Sequence, residues 1–418
     1  MYKIIFLSLF FTNFLFAYTF RNEDLEVFKE LNINPAYAEE EVFKSVFNEY
    51  SSNYNISYYD SIFRKSALNM KIVRDEIQYE NLPSGIFFVP LLESGFSNES
   101  KGKNSPSGLW QIIPETGRTL RLRVDESIDE RLDLVKSTDA ATSYMVKYYK
   151  KLNKWYLAVL AYNCGEGRVV EGVNRAMIDK FLDENPDEIN DLTINSYKQI
   201  LENSKKNKIG MNELYEINSV LTRKGMVFSF EYLARNNKEK GYVPQSSLEY
   251  INKIIAFSIL SNRDSYRSID KKSKFEIEKV KAPKALQLKS IANAISVDHN
   301  QLKNLNKHIK NDVLPSDSKN YNLYIPKDKL DIYNERIFNI RANTTKEEIK
   351  NIDIKNNKTK VEANKKLDDN KPSIYVVKKG DTLESIAKKL KVDIKKLKVI
   401  DSKKTKTIDI GDRIEVQK

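Results

Sequence analysis

Apolar residues recur at helical spacing from about residue 21 to residue 260, and this periodicity constrains the fold more than any other feature of the chain. Glycine and proline punctuate the pattern where turns are expected. The clearest apolar runs cover 132–152, 155–162 and 248–260. We therefore predict a mainly α-helical architecture, with a helical N-terminal region over 18–80 and a second helical domain over 81–262.

The pattern changes after residue 260 to short segments with strand and helix signals. Residues 341–372 are largely Lys, Asn, Asp and Glu, which cannot bury enough apolar surface to fold, so this stretch is predicted to be a linker. The last unit, 373–418, is predicted to be a small α+β (βααβ) fold. Asp381 and Glu384 are expected to form the capping box of its first helix. Its second helix is expected to carry three apolar side chains, Ile394, Leu397 and Ile400.

Residues 1–17 have the tripartite form of a secretory signal peptide, with Lys3 ahead of an apolar run that ends at Ala17. That run is roughly 14 residues long, whereas a membrane-spanning helix needs about 20. We expect cleavage after Ala17 and a periplasmic, exported protein. An uncleaved anchor or a buried helix remains the alternative. No cysteine lies near this segment, so the chain is not expected to be a lipoprotein.

The net charge of +12 is concentrated at the C-terminal end, because residues 271–418 alone carry +15. For an exported chain this excess favours an anionic wall or membrane surface as partner rather than nucleic acid. Lysine-rich solvated faces are the alternative explanation. The single cysteine, Cys164, excludes an intramolecular disulfide, and His299 and His308 lie in a Lys/Asn-rich stretch with no Cys or acidic ligand cluster. We therefore predict no metal and no cofactor.

Glu93 is the acidic residue best placed for chemistry. It follows the apolar run 86–92, so it is expected at the end of a buried helix. Burial disfavours the anion and would raise the pKa of the carboxyl, which would allow Glu93 to act as a general acid near neutral pH. An exposed acid beyond a helix end is the alternative.

Three ordered motifs surround this residue. They are Glu93-Ser-Gly-Phe96, Gly108-Leu-Trp-Gln111-Ile-Ile-Pro-Glu-Thr-Gly117 and Ala161-Tyr-Asn-Cys-Gly-Glu-Gly-Arg168. On these motifs, residues 82–122 and 160–169 resemble the lytic transglycosylase family with a goose-lysozyme-like fold, in particular its membrane-bound D branch. The resemblance implies a lysozyme-like catalytic domain over 81–262 that acts on peptidoglycan glycan strands. A membrane surface or cell-wall synthesis proteins are further candidate partners.

The family resemblance implies a role for each matching residue. Glu93 would act first as acid and then as base, cleaving between N-acetylmuramic acid and N-acetylglucosamine without water and forming a 1,6-anhydro ring. The predicted substrate contacts are Ser94, Gln111, Tyr162, Asn163 and Tyr250. Most glycosidases use two carboxylates. The other acids near these motifs, each a weak candidate for a second one, are Glu99, Glu115 and Glu166.

The chain also departs from the family pattern. Gly85 stands where the family has a second Glu, and Ser246 replaces the Glu that precedes the retained Tyr250. Residues 176–243 are longer than the corresponding family segment. Two alternatives therefore stay open: a goose-type muramidase that hydrolyses with water, and a non-catalytic wall-binding protein with a decayed site.

The C-terminal unit resembles a LysM carbohydrate-binding domain over 373–418. The resemblance implies glycan contacts at Gly380, Asp381, Thr382, Leu383 and Ile410. Residues 275–326 resemble a degenerate copy that lacks the Gly-Asp-Thr sequence. This copy is expected either to bind sugar or to serve as a spacer.

Overall fold

The computed structural model describes residues 20–99, 105–203, 209–274, 276–317, 320–343, 373–377, 381–399, 408 and 412–416. The chain divides into two compact units, 1–343 and 344–418. The predicted signal peptide, nearly all of the predicted linker, Gly380 and Ile410 lie outside the described residues.

The first unit is mainly α-helical, as predicted. Its helices run in the order α1 (Asn22–Glu30), α2 (Glu41–Tyr50), α3 (Asn53–Lys65), α4 (Ala67–Tyr79), α5 (Val89–Ser94), α6 (Pro114–Thr119), α7 (Leu134–Leu152), α8 (Trp155–Cys164), α9 (Glu166–Glu184), α10 (Leu192–Asn203), α11 (Met211–Arg223), α12 (Phe230–Lys240) and α13 (Gln245–Asn262). Within the described part of the chain, none of the helices is both long and apolar enough to cross a membrane.

Helix α13 lies at the centre of the main core. Seven consecutive residues, 254–260, are all buried, so the helix is enclosed on every side instead of along one stripe. It packs against α1, α2, α8 and a short 3-10 helix, Ser84–Phe88. Gly85 permits this last contact, because a Cβ there would lie only 3.1 Å from Ile254. The position where the family has its second Glu is therefore closely packed against α13.

The described part of 176–243, the segment predicted to be longer than in the family, is also mainly helical, and α11 packs along α9. The amide of Asn174 in α9 donates to the backbone oxygen of Leu214 at 2.9 Å. Arg175 donates to the backbone oxygens of Lys240 and Gly241 at 3.0 and 2.7 Å. These bonds stabilise the position of α9, the helix that begins within the third motif.

Gly172 should be intolerant of any side chain. An alanine Cβ there would lie 2.1 Å from the backbone oxygen of Tyr242. We expect Gly172→Ala to lower the free energy of unfolding by about 3 kcal/mol, because backbone has to move. Gly210→Ala is the matched control, since no atom lies within 4 Å of its Cβ and its φ is −68°. Denaturant unfolding of both variants checks this, and equal stability would contradict the packing described here.

A small module follows α13 within the first unit. It comprises β1 (Ile277–Val280), α14 (Leu288–Ala294), α15 (His299–Leu305), β2 (Leu323–Pro326) and α16 (Leu330–Asn343). Strands β1 and β2 pair antiparallel, with Ile277 opposite Pro326. The strand–helix–helix–strand order expected of a degenerate LysM-like copy is therefore observed, with α16 added after β2, around a separate apolar core. We call residues 276–343 the junction module.

Buried bonds hold the junction module against the helical domain. Asp133, which is fully buried, accepts from the Tyr324 hydroxyl at 2.8 Å and from the Asn322 amide at 3.0 Å. The same carboxylate caps α7. Ile128 of the helical domain belongs to the core of the module. Because the bonds are buried, the module is a fixed part of the first unit.

The C-terminal unit contains β3 (Ser373–Val376), α17 (Leu383–Leu390), β4 (Leu397–Val399) and β5 (Arg413–Val416), in the antiparallel order β3-β5-β4. The prediction of a second helix in this unit is wrong. Only a 3-10 turn, Ile394–Lys396, forms, and the chain then extends as β4 to pair with β5. The alternation of Leu397 and Val399 about exposed Lys398 suits a strand.

The capping box of α17 is also shifted by one residue from its predicted position. Thr382 has extended backbone, its hydroxyl accepts from the backbone N–H of Ser385, and Ser385 reciprocates. A threonine N-cap with serine at the third helical position forms the same kind of reciprocal pair as the predicted Asp381–Glu384 box, but it satisfies the backbone N–H groups one residue later.

Candidate active site

Glu93 lies in the last turn of α5. Val89, Pro90 and Leu91 before it are buried, Leu92 is partly buried, and Gly95 ends the helix with a left-handed φ of 60°. The chain then turns sharply, so that Phe96 returns to the core at 1% exposure. This geometry leaves Glu93 partly exposed at the end of an otherwise buried helix, as the sequence predicts.

Ser94 ties α5 to the loop of the second motif. Its hydroxyl lies 2.7 Å from the backbone oxygen of Leu109 and 3.1 Å from that of Pro90. These bonds give Ser94 a positioning role. Its predicted contact with substrate stays a prediction.

The second motif forms a tight loop, closed by an antiparallel bridge between Ser107 and Ile112. Gln111 adopts a left-handed φ of 47°, and its side-chain amide donates to the backbone oxygen of Gly108 at 2.8 Å. Trp110 is fully buried and donates to Thr138 at 3.0 Å. The loop is therefore rigid, and Gln111 stays partly exposed on it.

A buried ion pair holds this loop in place. Arg131, with 0% exposure, donates to both oxygens of Asp129, at 2.8 and 2.7 Å. The same guanidinium donates to the backbone oxygens of Ser105 and Ile112 at 2.8 and 3.2 Å. Gly108 lies against Arg131 so closely that a Cβ there would be 2.0 Å from the Arg131 backbone oxygen.

Two tyrosines from distant helices converge on this region. The Tyr250 hydroxyl of α13 donates to Oε1 of Glu93 at 2.8 Å, and the Tyr162 hydroxyl of α8 donates to the Trp110 backbone oxygen at 2.6 Å. Burial, reinforced by the charge of Glu93, raises the pKa of both tyrosines well above the ordinary value. Both hydroxyls therefore keep their protons at neutral pH, and Tyr250 is a permanent donor to Glu93.

Asn163 is exposed beside Tyr162, and its Oδ1 accepts from the Ser247 hydroxyl at 2.7 Å. Ser247 is buried, whereas its neighbour Ser246 is exposed. Sequence reasoning considered Ser246 and missed Ser247. The only available signal was that Ser247 precedes Tyr250 by three residues and so shares its helix face. The pKa of the neighbouring Cys164 thiol is raised, chiefly by burial.

The three other acids each have a separate environment. Glu99 is exposed and pairs with Lys307, and Glu115 is exposed in the first turn of α6. Glu166 opens α9 and accepts from the Tyr215 hydroxyl at 2.7 Å and from Lys151 at 2.6 Å. None of these described bonds involves Glu93.

The predicted glycan contacts of the C-terminal unit are only partly described. Asp381 accepts from the Tyr375 hydroxyl at 2.8 Å, Thr382 caps α17, and Leu383 packs against the apolar core. Their contact with glycan stays a prediction. Across the described residues, no group of three or more His, Cys, Asp or Glu is arranged to hold a metal ion.

Comparison with known families agrees with the motifs. Residues 71–183 match the Transglycosylase SLT domain, 276–340 match the LysM-like domain of lytic transglycosylase MltD, and 375–417 match the LysM domain. The resemblance inferred from the motifs is therefore confirmed. The match to the LysM-like domain covers nearly all of the junction module, and it extends beyond the predicted 275–326 to include most of α16.

The similarity to curated relatives agrees with the resemblance inferred from the motifs. The chain is 26% identical over 347 residues to membrane-bound lytic murein transglycosylase D of Escherichia coli strain K12, and equally so to that of strain O6:H1. Each alignment covers 82% of this chain and 62% of the relative, so the chain spans less than two thirds of their length. A putative tributyltin chloride resistance protein of Alteromonas sp. strain M-1 is 34% identical over 100 residues, covering 24% of this chain and 48% of that protein.

Proposed function

We propose that this chain is an exported lytic transglycosylase. It would cleave the β-1,4 bond between N-acetylmuramic acid and N-acetylglucosamine in peptidoglycan without water and leave 1,6-anhydromuramoyl ends. The observation that carries the proposal is the Glu93 carboxyl, within the SLT domain, held at 2.8 Å by a tyrosine hydroxyl that stays protonated. A single acid of this kind suffices when the substrate supplies the second catalytic group.

In the first step, protonated Glu93 gives its proton to the bridging oxygen, and the bond from that oxygen to C1 of the muramoyl residue breaks. The carbonyl oxygen of the muramoyl 2-acetamido group stabilises the positive charge at C1. In the second step, the Glu93 carboxylate takes the proton of the muramoyl C6 hydroxyl, whose oxygen bonds to C1. The ring closes, Glu93 is protonated again, and no water is consumed.

The other residues orient the reactants. Tyr250 donates to Glu93 and holds the carboxyl in one orientation through both steps. Gln111 and Asn163 present amides on fixed backbone, which is the chemistry that binds acetamido and hydroxyl groups. Fixed donors and acceptors stabilise the transition state without having to reorganise during the reaction.

The products of peptidoglycan digestion test this proposal. Soluble muropeptides released by residues 18–418 should be one water lighter than hydrolysis products when measured by mass spectrometry. Full-mass products with reducing ends would identify a hydrolase on the same fold. Wall binding without any product would identify a non-catalytic binding protein.

The charge and the domain matches also support an envelope location. The LysM match and the basic C-terminal end fit a protein that acts at the anionic wall. Export through a cleaved signal at 1–17, without lipid attachment, belongs to the proposal, because those residues lie outside the described part of the chain. A membrane surface or cell-wall synthesis proteins stay predicted partners.

Deleting residues 373–418 should weaken attachment to intact sacculi more than cleavage itself. A tethered binding domain raises the local concentration of substrate without adding a catalytic contact. We expect at least about tenfold weaker sedimentation with sacculi and an unchanged rate on a short soluble glycan. An equal loss on both substrates would contradict this division of roles.

A further inference from the structure

A cleft with a volume of about 700 Å³ lies between the helical domain and the junction module. One wall is the α3–α4 turn together with residues 95–99, which begin two residues after Glu93. The opposite wall is α15 and the residues that flank it. Both walls are needed to enclose the cleft, so it exists because buried bonds fix the junction module in place.

Beside the charged side chains of Lys65, Glu99, Asp298 and Lys307, five side-chain amides contribute to the polar lining of this cleft. They come from both walls and comprise Asn69, Asn98, Asn300, Gln301 and Asn304. Asn98 is only 6% exposed, and its Oδ1 has no hydrogen-bond partner among the described residues. The proposed catalytic steps use none of these five residues.

The lining favours a peptide over a sugar ring. Sugar sites usually offer the exposed face of an aromatic ring, but the aromatic residue in the described lining is Phe96, which is 1% exposed. Asn and Gln side chains carry both a donor and an acceptor, which matches a peptide unit. Lys65 is exposed at the rim and forms no ion pair with any described residue, so it can meet a carboxylate.

We propose that this junction cleft binds the peptide stem of peptidoglycan. The inference rests on the proposed function, because it names a further part of the same substrate. A stem of four or five residues spans roughly 13 to 18 Å when extended. It is attached to the muramoyl residue whose bond is cleaved, and one wall of the cleft begins two residues after Glu93. Binding there would favour glycan that still carries its peptides.

The test compares two variants of the full chain. Asn300 and Asn304 are exposed on α15 and have no described side-chain bonds, so changing both to alanine should leave the fold intact. Asn293→Ala is the matched control, since it is also an exposed asparagine of the junction module but lies outside the cleft lining. Binding of a synthetic stem tetrapeptide is measured by calorimetry, and cleavage is measured on glycan with and without its stems.

We expect the double variant to bind the tetrapeptide roughly tenfold more weakly, because two hydrogen bonds are lost. It should cleave peptide-bearing glycan correspondingly less well and denuded glycan at the unchanged rate, and the control should match the parent throughout. No tetrapeptide binding by the parent chain, or equal binding by the double variant, would overturn the cleft proposal.

The two proposals fail separately. Release of anhydro products without any tetrapeptide binding would support the proposed transglycosylase activity and contradict the cleft proposal. If the parent chain binds the tetrapeptide, the double variant binds it more weakly, and neither releases product, the result would support the cleft proposal and contradict the proposed activity.

Discussion

Replacing Glu93 with glutamine should lower the rate of peptidoglycan cleavage by about 10² to 10⁴-fold, because the amide can neither give nor take the proton in the two steps. Glutamine has nearly the same shape, and its side-chain oxygen can still accept from the Tyr250 hydroxyl. The fold and the binding of glycan should therefore persist. Product release is measured by mass spectrometry, and the fold is checked by thermal unfolding.

Glu115→Gln is the matched control for this substitution. Glu115 is exposed in the first turn of α6, and none of its described contacts involves Glu93. Its rate should stay within about twofold of the parent, as expected for a surface substitution away from the reacting atoms. Substantial activity in Glu93→Gln, or an equal loss in Glu115→Gln, would contradict the role assigned to Glu93.

Replacing Arg131 with methionine should lower the free energy of unfolding by about 3 to 5 kcal/mol, because the carboxylate of Asp129 would be left buried without its partner. The loop that carries Gln111 would also lose the bonds that Arg131 donates to Ser105 and Ile112. Activity should fall with stability. Denaturant unfolding gives the first quantity and glycan cleavage the second.

A double variant separates the charge effect from the packing effect. Combining Asp129→Asn with Arg131→Met removes both charges, so part of the lost stability should return. The bonds to the loop would still be missing, and activity should stay low. A loss below about 1 kcal/mol for Arg131→Met alone would contradict the description of a buried, fully bonded pair.

The position of Glu93 could be predicted from the sequence, because it depends on local features. An apolar run followed by Glu-Ser-Gly places the acid in the last turn of a buried helix, and the left-handed Gly95 ends that helix. The three motifs could also be recognised from the sequence, since each is a short contiguous stretch. The confirmed family matches rest on the same residues.

The partners of these residues could not be predicted, because they come from distant parts of the chain. Tyr250 meets Glu93 across 157 residues of sequence, and Ser247 meets Asn163 across 84. Such pairs follow from how α5, α8 and α13 pack together. The family pattern pointed to Tyr250 but gave no signal for Ser247.

The errors in the C-terminal unit have a different cause. Residues 394–399 carry apolar side chains at spacings that fit either a short helix or a strand, and short apolar runs cannot be distinguished by periodicity alone. Pairing with β5 decides the outcome, with Leu397 opposite Val416. That contact joins segments too far apart for local pattern to reveal.

The central claim is that Glu93 completes the reaction without water. Digestion of peptidoglycan in water labelled with the heavy oxygen isotope tests it most directly. The muropeptides released by residues 18–418 should carry no label and should be one water lighter than reducing-end products. Incorporation of one labelled oxygen at each new reducing end would show hydrolysis and contradict the proposed mechanism.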